Sequence, residues 1–168
     1  MKSYLQLIDR RTNGPRCDVL PIYKDFKAFK EMINDSHSLS KAIPFDLVAG
    51  IDALGFILAT ALAIRFEKGF FPIRKGGKLP IEADRAEFTD YTHLSKSLEL
   101  GKGTVSKGQR ILLVDEWIET GAQMRSAIKL IETQGGKIAA ILSIHIDTNQ
   151  QTQALIENYR CLSLDDRP

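Results

Sequence analysis

Hydrophobic and polar positions alternate between helical and strand periods along this chain. Residues 23–34 place Phe26, Phe29 and Ile33 at helical spacing and predict an amphipathic helix. The short apolar run 45–49 predicts a strand, and 50–55, with glycine at both ends, a turn. Residues 54–66 set Leu54, Leu58, Ala61, Leu62 and Arg65 on one face, in a stretch rich in Ala and Leu, so propensity and pattern agree on a helix. A second strand is predicted over 70–74, ending in the basic, glycine-containing turn 75–80. The segment 82–108 has many charges, scattered glycines and no sustained period. It admits either a β-ribbon or a long mobile loop of the kind that forms lids.

The order sharpens again at residue 110. The run 110–114 predicts a buried strand. Met124, Ala127, Ile128 and Ile131 then define a helix over 122–134, stopped by Gly135-Gly136. Residues 137–146 predict another strand, and 151–168 have no clear pattern. Helix, then β-α-β, an excursion, then β-α-β implies an α/β fold: a Rossmann-like, mostly parallel sheet with helices on both faces and a flexible lid loop at about 82–108. With 168 residues the chain is expected to form a single domain, 1–168.

Charge and cysteine usage narrow the chemistry. A net charge of +2 argues for neither nucleic acid nor an anionic membrane as partner. No apolar run approaches the ~20 residues of a membrane span, and the N-terminus has no apolar signal core, so the expected location is cytoplasmic. Cys17 and Cys161 have no zinc spacing and are expected to be free thiols. His37 and His145 read as structural, and His93 sits in the expected lid.

Three polar clusters follow three strands, and loops at the carboxyl ends of parallel strands share one edge of a sheet. The first is 50–55, with Asp52. The second holds Arg74, Lys75 and Lys78, able to neutralise a pyrophosphate or carboxylate. The third follows strand 110–114: Asp115 and Glu116, then Glu119, Thr120, Gly121, Ala122 and Gln123 turning into a helix. Its free N–H groups and positive dipole end suit a phosphate. Adjacent carboxylates repel, and a metal or a set of ribose hydroxyls would relieve them. Mg²⁺ keeps waters and needs no protein cage. Trp117 is expected to pack beneath this loop. Walker A and GxGxxG motifs are absent, which argues against P-loop and dinucleotide chemistry.

Taken together, ILLVDEWIETGAQ (111–123), AGIDALGFILATALAIRF (49–66), FPIRKGGKLP (71–80) and SLELGKGTVSKGQR (97–110) resemble the type I phosphoribosyltransferases, and among them the adenine enzymes. CDVLPIYKDFKAFKEMI (17–33) more loosely resembles their base-binding segment. The resemblance implies transfer of a phosphoribosyl group from 5-phosphoribosyl-1-pyrophosphate (PRPP) to a purine, adenine giving AMP, with Mg²⁺ as cofactor and a homodimer as assembly. It gives Asp115 and Glu116 the ribose hydroxyls and Mg²⁺, directly or through water. The 5′-phosphate falls to 119–123, pyrophosphate to Arg74, Lys75 and Lys78, with Asp52 in the pyrophosphate loop, and the base to Val19 and Tyr23. Asp90, beside Tyr91, takes the place of a lid Glu acting as catalytic acid. The chain departs from the family at Leu54, where Arg is usual, and at ETGAQ, where ATGGT is usual. These departures make a non-enzymatic PRPP- or nucleotide-binding protein the alternative.

Overall fold

The computed structural model describes residues 2–14, 16–90, 92 and 94–165. Seven strands form one sheet in the order β3-β4-β2-β1-β5-β7-β9. Strands β1 (Leu47–Ile51), β2 (Gly69–Lys75), β5 (Arg110–Val114), β7 (Lys137–Ser143) and β9 (Cys161–Ser163) pair in parallel. Strands β3 (Ala83–Thr89) and β4 (Ser95–Gly101) form an antiparallel hairpin, and β4 joins it to β2. A separate parallel pair, β6 (Trp117–Ile118) and β8 (His145–Ile146), sits beyond the ends of β5 and β7.

Period-2 alternation divides the core into two layers. Val48, Leu112 and Leu142 face α1 (Leu20–Lys24), α2 (Phe26–Ser40) and α3 (Gly55–Arg65). Their neighbours Ala49, Leu113 and Ile141 face the opposite layer, closed by α4 (Ala122–Thr133), the hairpin and α5 (Gln150–Asn158). The strands alternate in direction of burial but are apolar on both faces, as a covered parallel sheet requires. This is the Rossmann-like arrangement expected from the pattern.

Three expectations change. The helix predicted over 23–34 divides at Asp25, which caps α2 by accepting from the Lys27 and Ala28 amides at 2.9 Å each. The buried face of α2 is then Ala28, Met32, Ser36 and Ser40, and Phe26 is left 76% exposed. Arg65 leaves the apolar face of α3 for solvent. The segment 82–108 takes the ribbon form. Ala86, Leu98 and Leu100 are buried against α4, and Ser126 Oγ and Gln134 Nε2 hydrogen-bond to Glu87 O and Asp84 Oδ2 at 3.2 and 2.9 Å. Of the two alternatives, the ribbon is the one formed, a hairpin packed on α4. The unassigned tail supplies α5, capped by a reciprocal Asn149–Thr152 box, and edge strand β9.

Candidate active site

The loops after β1, β2 and β5 meet at the sheet edge on either side of β1, where the chain order reverses, the usual ligand crevice of such sheets. A cleft of about 100 Å³ opens there, with the 119–123 turn on one wall and Lys75, Asp90 and Lys96 on the other.

The acid pair is buried. Asp115 and Glu116 are 2% and 4% exposed. Asp115 Oδ1 accepts from the Glu116 amide at 2.9 Å, and Oδ2 from Gln123 Nε2 at 3.0 Å. Burial and then the Glu116 charge push the Asp115 pKa well above the usual carboxylate range. A Cβ on Gly55 would lie 3.0 Å from Asp115 Oδ1, so glycine is what lets the α3 N-terminus come this close. Among the described residues, buried Glu116 Oε2 has no hydrogen-bond partner, and neither does the Tyr23 hydroxyl. Tyr23 lies within the field of both acids, and burial and their charge raise its pKa.

Gly121, at φ 69°, takes the left-handed conformation that starts α4 and aims its first N–H groups at the cleft. Thr120 Oγ1 accepts from the Ala122 amide at 3.3 Å, and Arg125 Nη1 donates to Thr120 O and Gln151 O behind the turn. Glu119, Thr120, Gly121, Ala122 and Gln123 all line the cleft, as does Trp117, which is 3% exposed and stacked on His145 with ring centroids 4.6 Å apart. Trp117 thus packs beneath the loop and borders the cleft as well.

Arg16 was not expected in the site. Its Nε donates to Glu119 Oε1 at 2.5 Å and its Nη1 to Glu116 Oε1 at 3.2 Å. Burial opposes its charge, but Glu119, Glu116 and Asp115 outweigh that and raise its pKa. The contact spans about a hundred residues of sequence, so no local pattern announces it.

The first two clusters are joined. Arg74 Nε donates to Asp52 Oδ2 at 3.0 Å, and the Lys75 amide to the same oxygen at 3.4 Å. The Asp52–Ala53 peptide is cis. The basic turn is held from below by Glu99, 3% exposed, which accepts from the amides of Gly77, Lys78 and Leu79 at 2.9, 2.6 and 2.5 Å. Burial alone would raise the Glu99 pKa; the three amides and Arg85 reverse that and lower it. Lys75 reaches the cleft, while Lys78 is exposed outside its lining. Leu54 packs on the core beside α3.

Asp90, on the hairpin tip, faces the cleft beside Lys96. Lys96 pairs with its carboxylate, and Thr92 donates to it through both N and Oγ1. The Lys96 contact first, then Thr92, drive the Asp90 pKa far down. These contacts favour the ionised carboxylate of Asp90, which was expected to act as the proton donor. Its expected partner Tyr91 and the lid residue His93 lie outside the described residues. Val19, placed at the base, is 1% exposed and belongs to the core. Tyr23 is the member of that pair with a group directed at the acids.

The profile of the phosphoribosyl transferase domain matches residues 21–166. The chain belongs to the phosphoribosyl transferase family. It is 36% identical over 147 residues to the adenine phosphoribosyltransferase of Caldanaerobacter subterraneus, covering 88% of this chain and 84% of that one. It is 38% identical over 127 residues to that of Kosmotoga olearia, covering 76% and 74%. Among solved structures it is similar to the adenine phosphoribosyltransferase of Thermoanaerobacter pseudethanolicus, with TM-score 0.87, 32% identity and 96% of each chain covered. The Saccharomyces cerevisiae enzyme, solved with adenine and an imino-altritol bisphosphate, matches with TM-score 0.84 and 25% identity over 98% of this chain and 99% of that one.

Neither Cys17 nor Cys161 is in a disulfide, and burial raises the Cys161 thiol to about 11. His37 stacks on Phe66, a structural placement. No helix among the described residues is long and apolar enough to cross a membrane.

Proposed function

We propose that this phosphoribosyl transferase makes AMP and pyrophosphate from adenine and PRPP. The observation that carries the reading is the convergence of three groups on one cleft: Asp115 of the acid pair, the free amides of the α4 N-terminus and Lys75 of the basic turn. That set matches the ribose, 5′-phosphate and pyrophosphate of one substrate.

In the reaction a purine nitrogen bonds to ribose C1 as the C1–oxygen bond to pyrophosphate breaks. The transition state carries positive charge on the ribose. Such a step needs positioning and electrostatics more than a protein nucleophile. Glu116, with one carboxylate oxygen unpartnered, accepts a ribose hydroxyl, and the buried acids face the developing positive charge. The α4 amides and Thr120 hold the 5′-phosphate. Lys75, with Arg74 oriented by Asp52, neutralises the departing pyrophosphate, and Lys78 adds charge at its outer edge. Tyr23 borders the base. Asp90 acts as an ionised group on the tip that covers the cleft.

The acid pair fits Mg²⁺: two buried adjacent carboxylates, one with a free oxygen, supply the one or two ligands that this ion takes beside substrate oxygens and water. When bound, the ion would offset the charge of the pyrophosphate. Among the described residues no set of three or more acidic, His or Cys groups forms a closed metal cage. The reading includes a cytoplasmic homodimer without nucleic-acid or membrane partners.

A panel of nucleobases, each mixed with protein, PRPP and Mg²⁺, tests the assignment. Nucleotide from adenine in preference to hypoxanthine, guanine and uracil supports it; preference for another base moves the specificity.

A further inference from the structure

We infer that Arg16 sets the affinity for the sugar phosphate, by cancelling the charge of Glu119 and by holding one oxygen of Glu116 so that the other meets the ribose; this rests on the function proposed above. Glu119 opens the turn on which a dianionic phosphate would sit. Its side chain is 12% exposed, so solvent screens it weakly. The nearest cation on α4, Arg125, is committed to the carbonyls of Thr120 and Gln151. Across the cleft, Lys96 is paired with Asp90. The group that reaches Glu119 is Arg16, from a segment preceding α1.

The guanidinium fork explains why one residue can serve both acids. Nε engages Glu119 Oε1 at 2.5 Å while Nη1 engages Glu116 Oε1 at 3.2 Å, which leaves Glu116 Oε2 buried and unpartnered. An ammonium has no such spread of donors. Arg16 is thus a positioning residue. Removing it restores the full charge of Glu119 beside the phosphate site and leaves Glu116 without the partner that fixes its carboxylate.

The test uses wild type, Arg16→Ala, Glu119→Ala and the double variant, measured for kcat, for KM of PRPP and of adenine, and by calorimetry for PRPP affinity. Arg16→Ala is expected to raise the PRPP KM about tenfold, the scale of one charge-assisted contact, with kcat and the adenine KM changed by less than about threefold. The double variant is expected to regain at least about threefold more over Arg16→Ala than Glu119→Ala gains over wild type, a coupling that only linked residues give. The deficit that remains reports the Glu116 half of the role. A double variant no better than Arg16→Ala, or an unchanged PRPP KM in Arg16→Ala, overturns the proposal. Wild type that binds PRPP without turning over any base defeats the proposed activity instead, and the same four calorimetric affinities then decide the Arg16 role alone. Melting temperatures check the fold; if Arg16→Ala fails to fold, Arg16→Lys with and without Glu119→Ala supplies the same comparison.

Discussion

Gln123 Nε2 donates to Asp115 Oδ2 across 3.0 Å, so the turn that would hold a phosphate is tied through its last side chain to the buried acid that would serve the ribose. Movement of one is felt by the other.

Asp115→Asn is expected to trade function for stability. The folded state holds the Asp115 proton more tightly than the unfolded chain does, because burial and Glu116 raise its pKa. Stability without ligand is therefore complete at low pH, falls as pH rises above the ordinary carboxylate value near ~3.9, and levels off above the raised value. The amide removes that penalty and can keep both hydrogen bonds if Gln123 turns its side chain over. At neutral pH the ligand-free variant should gain about 1–2 kcal/mol, raising Tm by roughly 2–6 °C, while PRPP affinity falls at least about tenfold. Thermal melts across pH and calorimetry check both; a variant of lower Tm contradicts the account of Asp115.

Glu99→Gln is expected to loosen the basic turn. One carboxylate receives three amides here, and the amide side chain would set its own N–H groups against one of them. A loss of about 1.5–3 kcal/mol follows from charge-assisted bonds of this kind. The PRPP KM should rise with the adenine KM unchanged, since Lys75 moves and the base pocket does not. Equal changes in both would show that Glu99 supports the fold at large and not this turn.

Asp90→Asn distinguishes an ionised tip residue from a proton donor. Loss of a general acid lowers kcat by about 10²–10⁴. With Asp90 held ionised by Lys96, kcat should fall by less than about tenfold, and the shape of the pH–rate profile should not change. A larger fall together with loss of one limb of the profile would restore Asp90 as the acid.

The sequence made the parallel strands and α4 legible because their burial follows simple periods. Residues 110–114 and the Met124–Ile131 spacing are examples, and the order of polar loops after strands located the cleft. What stayed hidden depends on contacts far along the chain. Arg16 acts on residues about a hundred positions away, and Lys96 and Glu99 read as ordinary charges in a charged stretch. The hairpin was ambiguous because β3 carries a single fully buried side chain, Ala86, so its alternation is faint until β4 and α4 cover it. Phe26 misled the helix face because Asp25 caps a new helix there and resets the phase.

The most direct measurement is AMP formation from adenine and PRPP with Mg²⁺, with pyrophosphate followed in the same reaction. The account predicts one pyrophosphate per AMP, no product without Mg²⁺, and little product from Asp115→Asn. No nucleotide from any base, by protein that binds PRPP in calorimetry, would contradict it and leave a binding protein on the same fold.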